Sequence, residues 1–293
     1  MPVINGHKLA FENFLQLALF SVLGLSFIIA YFPVMEGLAK VWWSSENYSH
    51  GFFVPPLFFY IIWVKREKLF HSVYIRSYGP GLILVGASLL AYIFAHFAEI
   101  KTLASLSMLA CLMGTVLYLF GPQIVRELIF PFFLLFFMVP VPAQIYAKLT
   151  IPLQLIVTKI SAMAADLTGI PVYRTGNILE TPGLSLEVVE ACSGMRSIIT
   201  LLLLSALFAF FTLRSFCGRI VLFLSGIPLA ILINIFRVVG IFLAWHFFAF
   251  DFTHGWPHKL FGLALFGIAL AGLFLLQKGI QFWEEKRFSK LRC

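Results

Sequence analysis

The sequence predicts an all-α polytopic membrane protein, and its composition is the first observation that points to this class. Of the 293 residues, 61% are hydrophobic and only 12% are charged, a balance far outside that of water-soluble domains. Apolar runs close to the length of a membrane span recur along the chain, and the basic residues form short clusters between them. The net charge of +8 therefore reflects membrane topology, and we do not expect nucleic-acid binding.

The apolar runs predict about eight transmembrane helices. They cover residues 13–33, 51–64, 81–98, 102–121, 127–141, 193–213, 219–249 and 258–277. The second and fifth runs are short, so tilting or flanking residues would have to complete these spans. We expect the first run to be retained and not cleaved as a signal peptide, and residues 1–293 to form a single integral membrane domain.

The basic residues predict the orientation of these spans, because lysine and arginine concentrate in cytoplasmic loops. The basic clusters follow the second, fourth, sixth and eighth spans, which places them all in the cytoplasm when both termini are cytoplasmic. The clusters are Lys65, Arg66, Lys68 and Arg76; Arg126; Arg214 and Arg219; and Lys278, Lys286, Arg287, Lys290 and Arg292. The outer face then carries residues 34–50, 142–192 and 250–257.

Two outer segments depart from the pattern of a span. Residues 142–168 are interrupted by two lysines and an aspartate, which favours an amphipathic helix lying at the outer interface. Apolar and polar residues then alternate over 184–188 after a Pro182-Gly183 turn, which predicts a short β-hairpin. The second strand of this hairpin leads to Cys192.

Three residues with useful chemistry share one predicted depth. Counted from the basic residue at the cytoplasmic end of each helix, Cys192, Arg237 and His258 are 22, 18 and 20 residues away. These separations correspond to about 33, 27 and 30 Å along a helix. Because a hydrocarbon core is about 30 Å thick, all three residues are expected at the outer level of the membrane.

Each of these residues, taken alone, also has an ordinary structural explanation. Cys192 would be a small buried apolar residue, Arg237 would bond carbonyls of neighbouring helices, and a histidine beside Trp256 and Pro257 would lie at the interface. An arginine inside a span costs about 2.5 kcal/mol or more and marks a functional site by default. The four cysteines and seven histidines show neither a CxxC pair nor zinc-ligand spacing, so we expect no metal and no cofactor.

The three residues together are suited to acyl transfer. Arg237 and a protonated histidine would stabilise the Cys192 thiolate, which would attack a peptide carbonyl. The histidine would then protonate the leaving amine, while Arg237 would bond the developing oxyanion. His258 begins the last span and is the predicted acid, whereas His254 precedes a Gly-Trp-Pro break and is a weaker candidate.

Further residues are predicted to support this chemistry. The backbone N–H groups of Ser193 and Gly194, at a helix N-terminus, would add oxyanion donors. Asn234 lies on the same helical face as Arg237 and would orient its guanidinium. We expect a supporting ion pair between two further residues, Glu190 and Arg196.

The motifs around these residues resemble those of exosortases. Glu190-Ala191-Cys192-Ser193-Gly194-Met195-Arg196 resembles the family's E-A-C-S-G-[LM]-R motif, Asn234-Ile235-Phe236-Arg237 resembles N-x-x-R, and His258-Lys259-Leu260-Phe261-Gly262 resembles H-x-x-x-G. The early Tyr48-Ser49-His50-Gly51, with Pro55-Pro56, is similar to the family's S-H-G region and adds His50 to the supporting residues. The Ser-Gly after Cys192 favours the bacterial branch of the family.

The resemblance implies a cysteine transpeptidase or peptidase in the bacterial cytoplasmic (inner) membrane, with its active site at the outer face. Its partners would be membrane lipid and exported proteins that carry a C-terminal sorting signal: a Pro-Glu-Pro-like motif, one transmembrane helix and a basic tail. Cleavage and transfer to an unknown acceptor would occur in bacteria that make exopolysaccharide or biofilm. The alternatives are a polytopic transporter or a membrane acyltransferase that uses Arg237 and His258.

Overall fold

The structure, a computed structural model, describes residues 3–70, 78–188, 195–250, 252–253 and 255–290. It divides into two compact units, Met1–Pro140 and Val141–Cys293. The helices of the first unit are α1 (Val3–Ser44), α2 (Val54–Val64), α3 (Arg66–Phe70), α4 (Gly79–Phe97), α5 (Lys101–Phe120) and α6 (Pro122–Leu135). The second unit contains α7 (Ala143–Leu167), β1 (Tyr173–Thr175), β2 (Ile178–Thr181), β3 (Leu184–Glu187), α8 (Met195–Thr212), α9 (Phe216–Phe248) and α10 (Gly255–Lys290). The single domain expected over the whole chain stays a prediction.

By length and apolar composition, seven helices in the described part of the chain are able to cross a membrane, against about eight predicted spans. They are Ser21–Ser44, Gly79–Phe97, Lys101–Phe120, Ala143–Leu167, Met195–Thr212, Phe216–Phe248 and Gly255–Arg287. The all-α polytopic membrane class is confirmed. The predicted spans at 51–64 and 127–141 form shorter helices, α2 and α6, and α2 is short because Pro55 and Pro56 fit only its first turn.

The two short helices nevertheless have the length of their longer neighbours once adjoining 3₁₀ turns are counted. The turns Ser49–Phe53 and Phe136–Met138 extend α2 and α6, respectively, so residues 49–64 and 122–138 each cover about 27 Å. Helix α4, with 19 residues, covers about 28 Å.

Hydrogen bonds show that α2 and α6 run between the same two ends of the first unit. At one end, Lys65 Nζ donates to the backbone carbonyl oxygen of Glu127, at 2.6 Å. At the other end, His50 Nε2 lies 3.0 Å from the carbonyl oxygen of Phe137. Both segments therefore traverse the unit, which explains why hydropathy identified them as spans although each α-helix alone is short.

Helix α9 is the central helix of the second unit, with α7, α8 and α10 packed against it. Small residues allow a close approach between α8 and α9. A Cβ added to Gly226 would lie 3.3 Å from the backbone of Leu201 and 3.2 Å from the hydroxyl of Ser205. Close backbone approach at small residues is the usual way in which helices associate in membranes.

A three-stranded antiparallel sheet lies in the connection between α7 and α8, in the order β1-β2-β3. The predicted hairpin corresponds to β2 and β3, which are joined at the expected Pro182-Gly183 turn. Gly183 has φ +82°, a left-handed conformation that favours glycine. The turn is fixed to α9, because Trp245 Nε1 donates to the carbonyl oxygen of Pro182 at 3.3 Å.

Helix α7 corresponds to the predicted outer amphipathic helix and, with 25 residues, also has the length and composition of a span. Its mean hydropathy of 1.2 is below the 1.8 to 2.3 of the other six candidates. Its buried residues Tyr146 and Val157 share core clusters with buried residues 230–242 of α9. The cluster around Leu222 and Leu273, by contrast, is built from α8, α9, α10 and the residue that follows α8. This one-sided packing favours the interfacial position, which stays a prediction.

A buried carboxylate joins α10 to the connection between α8 and α9. Glu284 is only 4% exposed and accepts hydrogen bonds from the backbone N–H groups of Arg214 and Ser215, at 3.0 and 3.2 Å, and from the Ser215 hydroxyl. The Ser215 Oγ in turn accepts from the N–H of Gly218 at 3.0 Å, which caps the N-terminus of α9.

We expect Glu284→Ala to destabilise the second unit, because it leaves buried donors without their acceptor. Hydrogen bonds to a charged group contribute about 1.5–3 kcal/mol, so the free energy of unfolding should fall by about 2–4 kcal/mol. The denaturation midpoint of the detergent-purified protein measures this loss. The control is Glu285→Ala at the neighbouring exposed position; equal midpoints for the two variants would contradict the assignment.

Candidate active site

The central feature of the candidate site is a hydrogen bond between α9 and α10. Arg237 Nη2 lies 2.6 Å from His258 Nε2, and both side chains are partly buried. The two residues are 21 positions apart in sequence and come from different predicted spans. The rise-per-residue estimate placed them at the same depth, and their contact agrees with it.

The hydrogen bonds of His258 define its protonation. A guanidinium has only donors, so Nε2 must accept from Arg237 through its lone pair. Nδ1 lies 2.7 Å from the carbonyl oxygen of Phe252, which can only accept, so Nδ1 carries the proton. His258 is therefore a neutral imidazole in this arrangement, whereas the sequence analysis assumed a protonated histidine.

Gly262 makes room for this pair. It lies four residues after His258, one turn further along α10, and a Cβ added there would lie 3.3 Å from Arg237 Nη2 and 3.4 Å from Cζ. A side chain at position 262 would therefore press on the guanidinium. This contact gives a physical reason for the spacing of histidine and glycine in the H-x-x-x-G motif.

The segment before α10 folds back to supply the acceptor for Nδ1. The Phe252 ring packs on Phe261, with ring centroids 5.1 Å apart, and both belong to the apolar cluster around the fully buried Phe242. The carbonyl of Phe252 is therefore held by packing against α9 and α10. Fixed partners of this kind restrict the orientation of the imidazole.

The predicted nucleophile lies outside the described residues, as do Glu190, Ser193, Gly194 and His254. The described residues on either side of that segment are informative. Val188 is fully buried in the cluster that contains Val238, and Met195 is buried in the cluster that contains Ile233. Both flanks thus pack with α9, at positions before and after Arg237 in its sequence.

Two supporting residues lie within the described part of this unit. Asn234 is 4% exposed and precedes Arg237 by three residues on α9, as predicted. Arg196 is partly buried in the first turn of α8. The expected ion pair between Arg196 and Glu190 and the orienting role of Asn234 stay predictions.

His50 belongs to the first unit, where its described contacts are packing and backbone hydrogen bonds. It is 8% exposed, and its ring makes backbone hydrogen bonds with Phe137 and Asn47; Nε2 lies 3.0 Å from the carbonyl oxygen of Phe137. Trp42 Nε1 donates to the next carbonyl, that of Met138, at 2.9 Å. A Cβ on Gly51 would collide with the Trp42 indole, so the His-Gly pair allows α1 and the turn before α2 to approach closely.

Sequence reasoning missed two residues that contact predicted supporting or catalytic segments, Phe252 in the second unit and Trp42 in the first. The carbonyl of Phe252 fixes the tautomer of His258, but a backbone acceptor leaves no signal in the residue type. Trp42 could be found only through its glycine partner. The described residues contain no group of three or more histidine, cysteine, aspartate or glutamate side chains that would hold a metal ion.

The fold and this site define an integral membrane protein with a polar pair held between its last two helices. The chain belongs to the transmembrane exosortase family, whose model matches residues 42–275. It is thus a membrane sorting transpeptidase in general terms, acting on exported proteins with a C-terminal signal. The search of curated proteins and the search of solved structures each found no match.

We expect Gly262→Ala to reduce activity strongly, because the added methyl group displaces the Arg237 guanidinium. A displacement of about 1 Å can lower the rate about 10²-fold. Conversion of a substrate precursor, at matched membrane abundance, measures the effect. Gly267→Ala on the same helix is the control, since a Cβ there meets nothing within 4 Å; equal activity of both variants would refute the role assigned to Gly262.

Proposed function

We propose that this protein is a cysteine transpeptidase that cleaves the C-terminal sorting signal of exported proteins, with Cys192 as nucleophile. The observation that carries the proposal is the Arg237–His258 hydrogen bond, together with the packing of Val188 and Met195 on both sides of Arg237. The cysteine lies between these two anchored residues in sequence. A base and a cation next to a thiol are the requirements of thiol catalysis.

In the first step, the Arg237 N–H leaves His258 Nε2 and donates to the carbonyl oxygen of the substrate. The freed Nε2 accepts the proton of the Cys192 thiol, while Nδ1–H stays bonded to the carbonyl of Phe252. The thiolate then attacks the carbonyl carbon and forms a tetrahedral intermediate. Arg237 stabilises its oxyanion through the N–H that has left Nε2.

In the second step, the intermediate collapses and the scissile C–N bond breaks. His258 Nε2–H gives its proton to the leaving amine, and a thioester remains at Cys192. An acceptor nucleophile then attacks the thioester, losing its proton to Nε2, and the returning thiolate recovers that proton. The histidine is thus a base first and an acid second, which its neutral resting state supports.

The topology predicted from charge is consistent with this substrate. A substrate helix followed by a basic tail stops with the tail in the cytoplasm, so the motif before that helix reaches the outer face. A Pro-Glu-Pro-like motif is acidic. Two exposed basic residues are predicted on the outer side, Arg174 in an outer segment and Lys259 at the outer end of the last span. We therefore locate the active site at the outer face of the bacterial cytoplasmic membrane, with both termini cytoplasmic.

The proposal requires the thiol at position 192. We expect Cys192→Ala to abolish processing and Cys192→Ser to lower it at least about 10²-fold, since a hydroxyl is a much weaker nucleophile at neutral pH. Precursor and product are measured in membranes with equal amounts of enzyme. Cys217→Ala, at an exposed cysteine, is the control and should keep full activity. Normal processing by Cys192→Ala would refute Cys192 as the nucleophile.

A further inference from the structure

Strand β3 forms one edge of the sheet and leads toward the candidate nucleophile. The sheet order is β1-β2-β3, so β3 pairs only with β2 among the described strands. It ends at Glu187, five residues before Cys192 in the sequence. An edge strand carries main-chain donors and acceptors that another extended chain can pair with.

The register identifies which backbone groups of β3 face the open edge. The N–H of Val188 donates to the carbonyl of Asn177 at 2.9 Å, which makes these opposed residues a hydrogen-bonded pair. Such pairs alternate along an antiparallel ladder. The N–H and C=O groups of Ser185 and Glu187 therefore point away from β2.

These backbone groups are available for pairing. In the described part of the chain, neither Ser185 nor Glu187 makes a backbone hydrogen bond outside the sheet, and both residues are exposed. The opposite face of β3 is anchored, because Leu184, Leu186 and Val188 pack in the cluster with α9. Among the described residues this edge is thus unpaired, and the strand itself is anchored by its packing.

We propose that the substrate binds as an extended segment that adds a fourth strand to β3, through the outward backbone groups of Ser185 and Glu187. The inference rests on the proposed function, since it takes the sorting signal as the occupant. Main-chain pairing would align the segment beside β3, the strand that precedes Cys192 in the sequence. Adding a strand to a free sheet edge is a recurrent mode of peptide recognition.

This mode fits an extended segment with prolines two positions apart. Successive residues of a strand turn their N–H groups to opposite sides, so prolines at positions one and three turn their ring nitrogens the same way. When both proline nitrogens face away from β3, the residue between the prolines presents its N–H and C=O to the edge. An acidic middle residue would be repelled by the like charge of Glu187 if it lay opposite that residue, so pairing opposite Ser185 is favoured.

The first test removes the outward N–H of position 185. Proline is tolerated at an edge where the N–H faces outward, so Ser185→Pro should fold but lose processing about tenfold or more. Ser185→Ala keeps the N–H and should retain activity. Normal processing by Ser185→Pro, or an equal loss in Ser185→Ala, would overturn the proposal.

The second test measures binding without catalysis and does not depend on proline. Cys192, Cys217 and Cys293 are replaced by alanine, and Ser185→Cys is oxidised with substrates carrying one cysteine at successive motif positions. We expect disulfides at alternate substrate positions, and few with the control Glu180→Cys on the middle strand. Uniform cross-linking, or none, contradicts strand addition while leaving the nucleophile assignment intact. Alternating cross-links combined with processing by Cys192→Ala would instead contradict Cys192 as the nucleophile while supporting substrate binding at the β3 edge.

Discussion

The second unit depends on satisfying a guanidinium within an apolar helix. Arg237 is costly in a membrane unless its donors are bonded inside the protein, and His258 Nε2 meets one of them at 2.6 Å. That bond requires an unprotonated Nε2, hence a proton on Nδ1 and an acceptor at Phe252. It also requires the absence of a side chain at Gly262. The Arg237 guanidinium is thus linked to the histidine in the first turn of α10, to the backbone carbonyl of Phe252 and to the absence of a side chain at Gly262.

The same pair connects the architecture to the chemistry. Arg237 lies on the part of α9 against which the sheet and the start of α8 pack. At the other end of α9, the buried carboxylate of Glu284 holds α10 against the connection between α8 and α9. The Arg–His contact also supports a particular order of proton transfers. A neutral imidazole can take a proton from a thiol before it gives one to a leaving amine. Nε2 can act as a base only after the Arg237 N–H leaves it for the substrate carbonyl, so substrate entry and base activation become linked.

The sequence predicted features that depend on composition and periodicity. Apolar runs located most helices, the Pro-Gly pair located the β2–β3 turn, and helical rise placed Arg237 and His258 at one depth. The prediction was less successful where local hydrogen bonding decides the outcome. Hydropathy does not distinguish an α-helix from a 3₁₀ turn, so the predicted runs at 51–64 and 127–141 do not match the bounds of α2 and α6. The exposed strand β1, the Phe252 carbonyl and the contact of His50 with Phe137 arise from tertiary packing, which residue type alone does not encode.

The most direct test of the account is to trap the covalent intermediate. Purified enzyme is mixed with a substrate, quenched in acid within one turnover and digested for mass spectrometry, with a hydroxylamine-treated sample alongside. The account predicts the N-terminal part of the substrate joined to Cys192 through a thioester that hydroxylamine removes, because the thiolate performs the first attack. Efficient cleavage with an unmodified Cys192 at every quench time, or with the adduct on another residue, would contradict it.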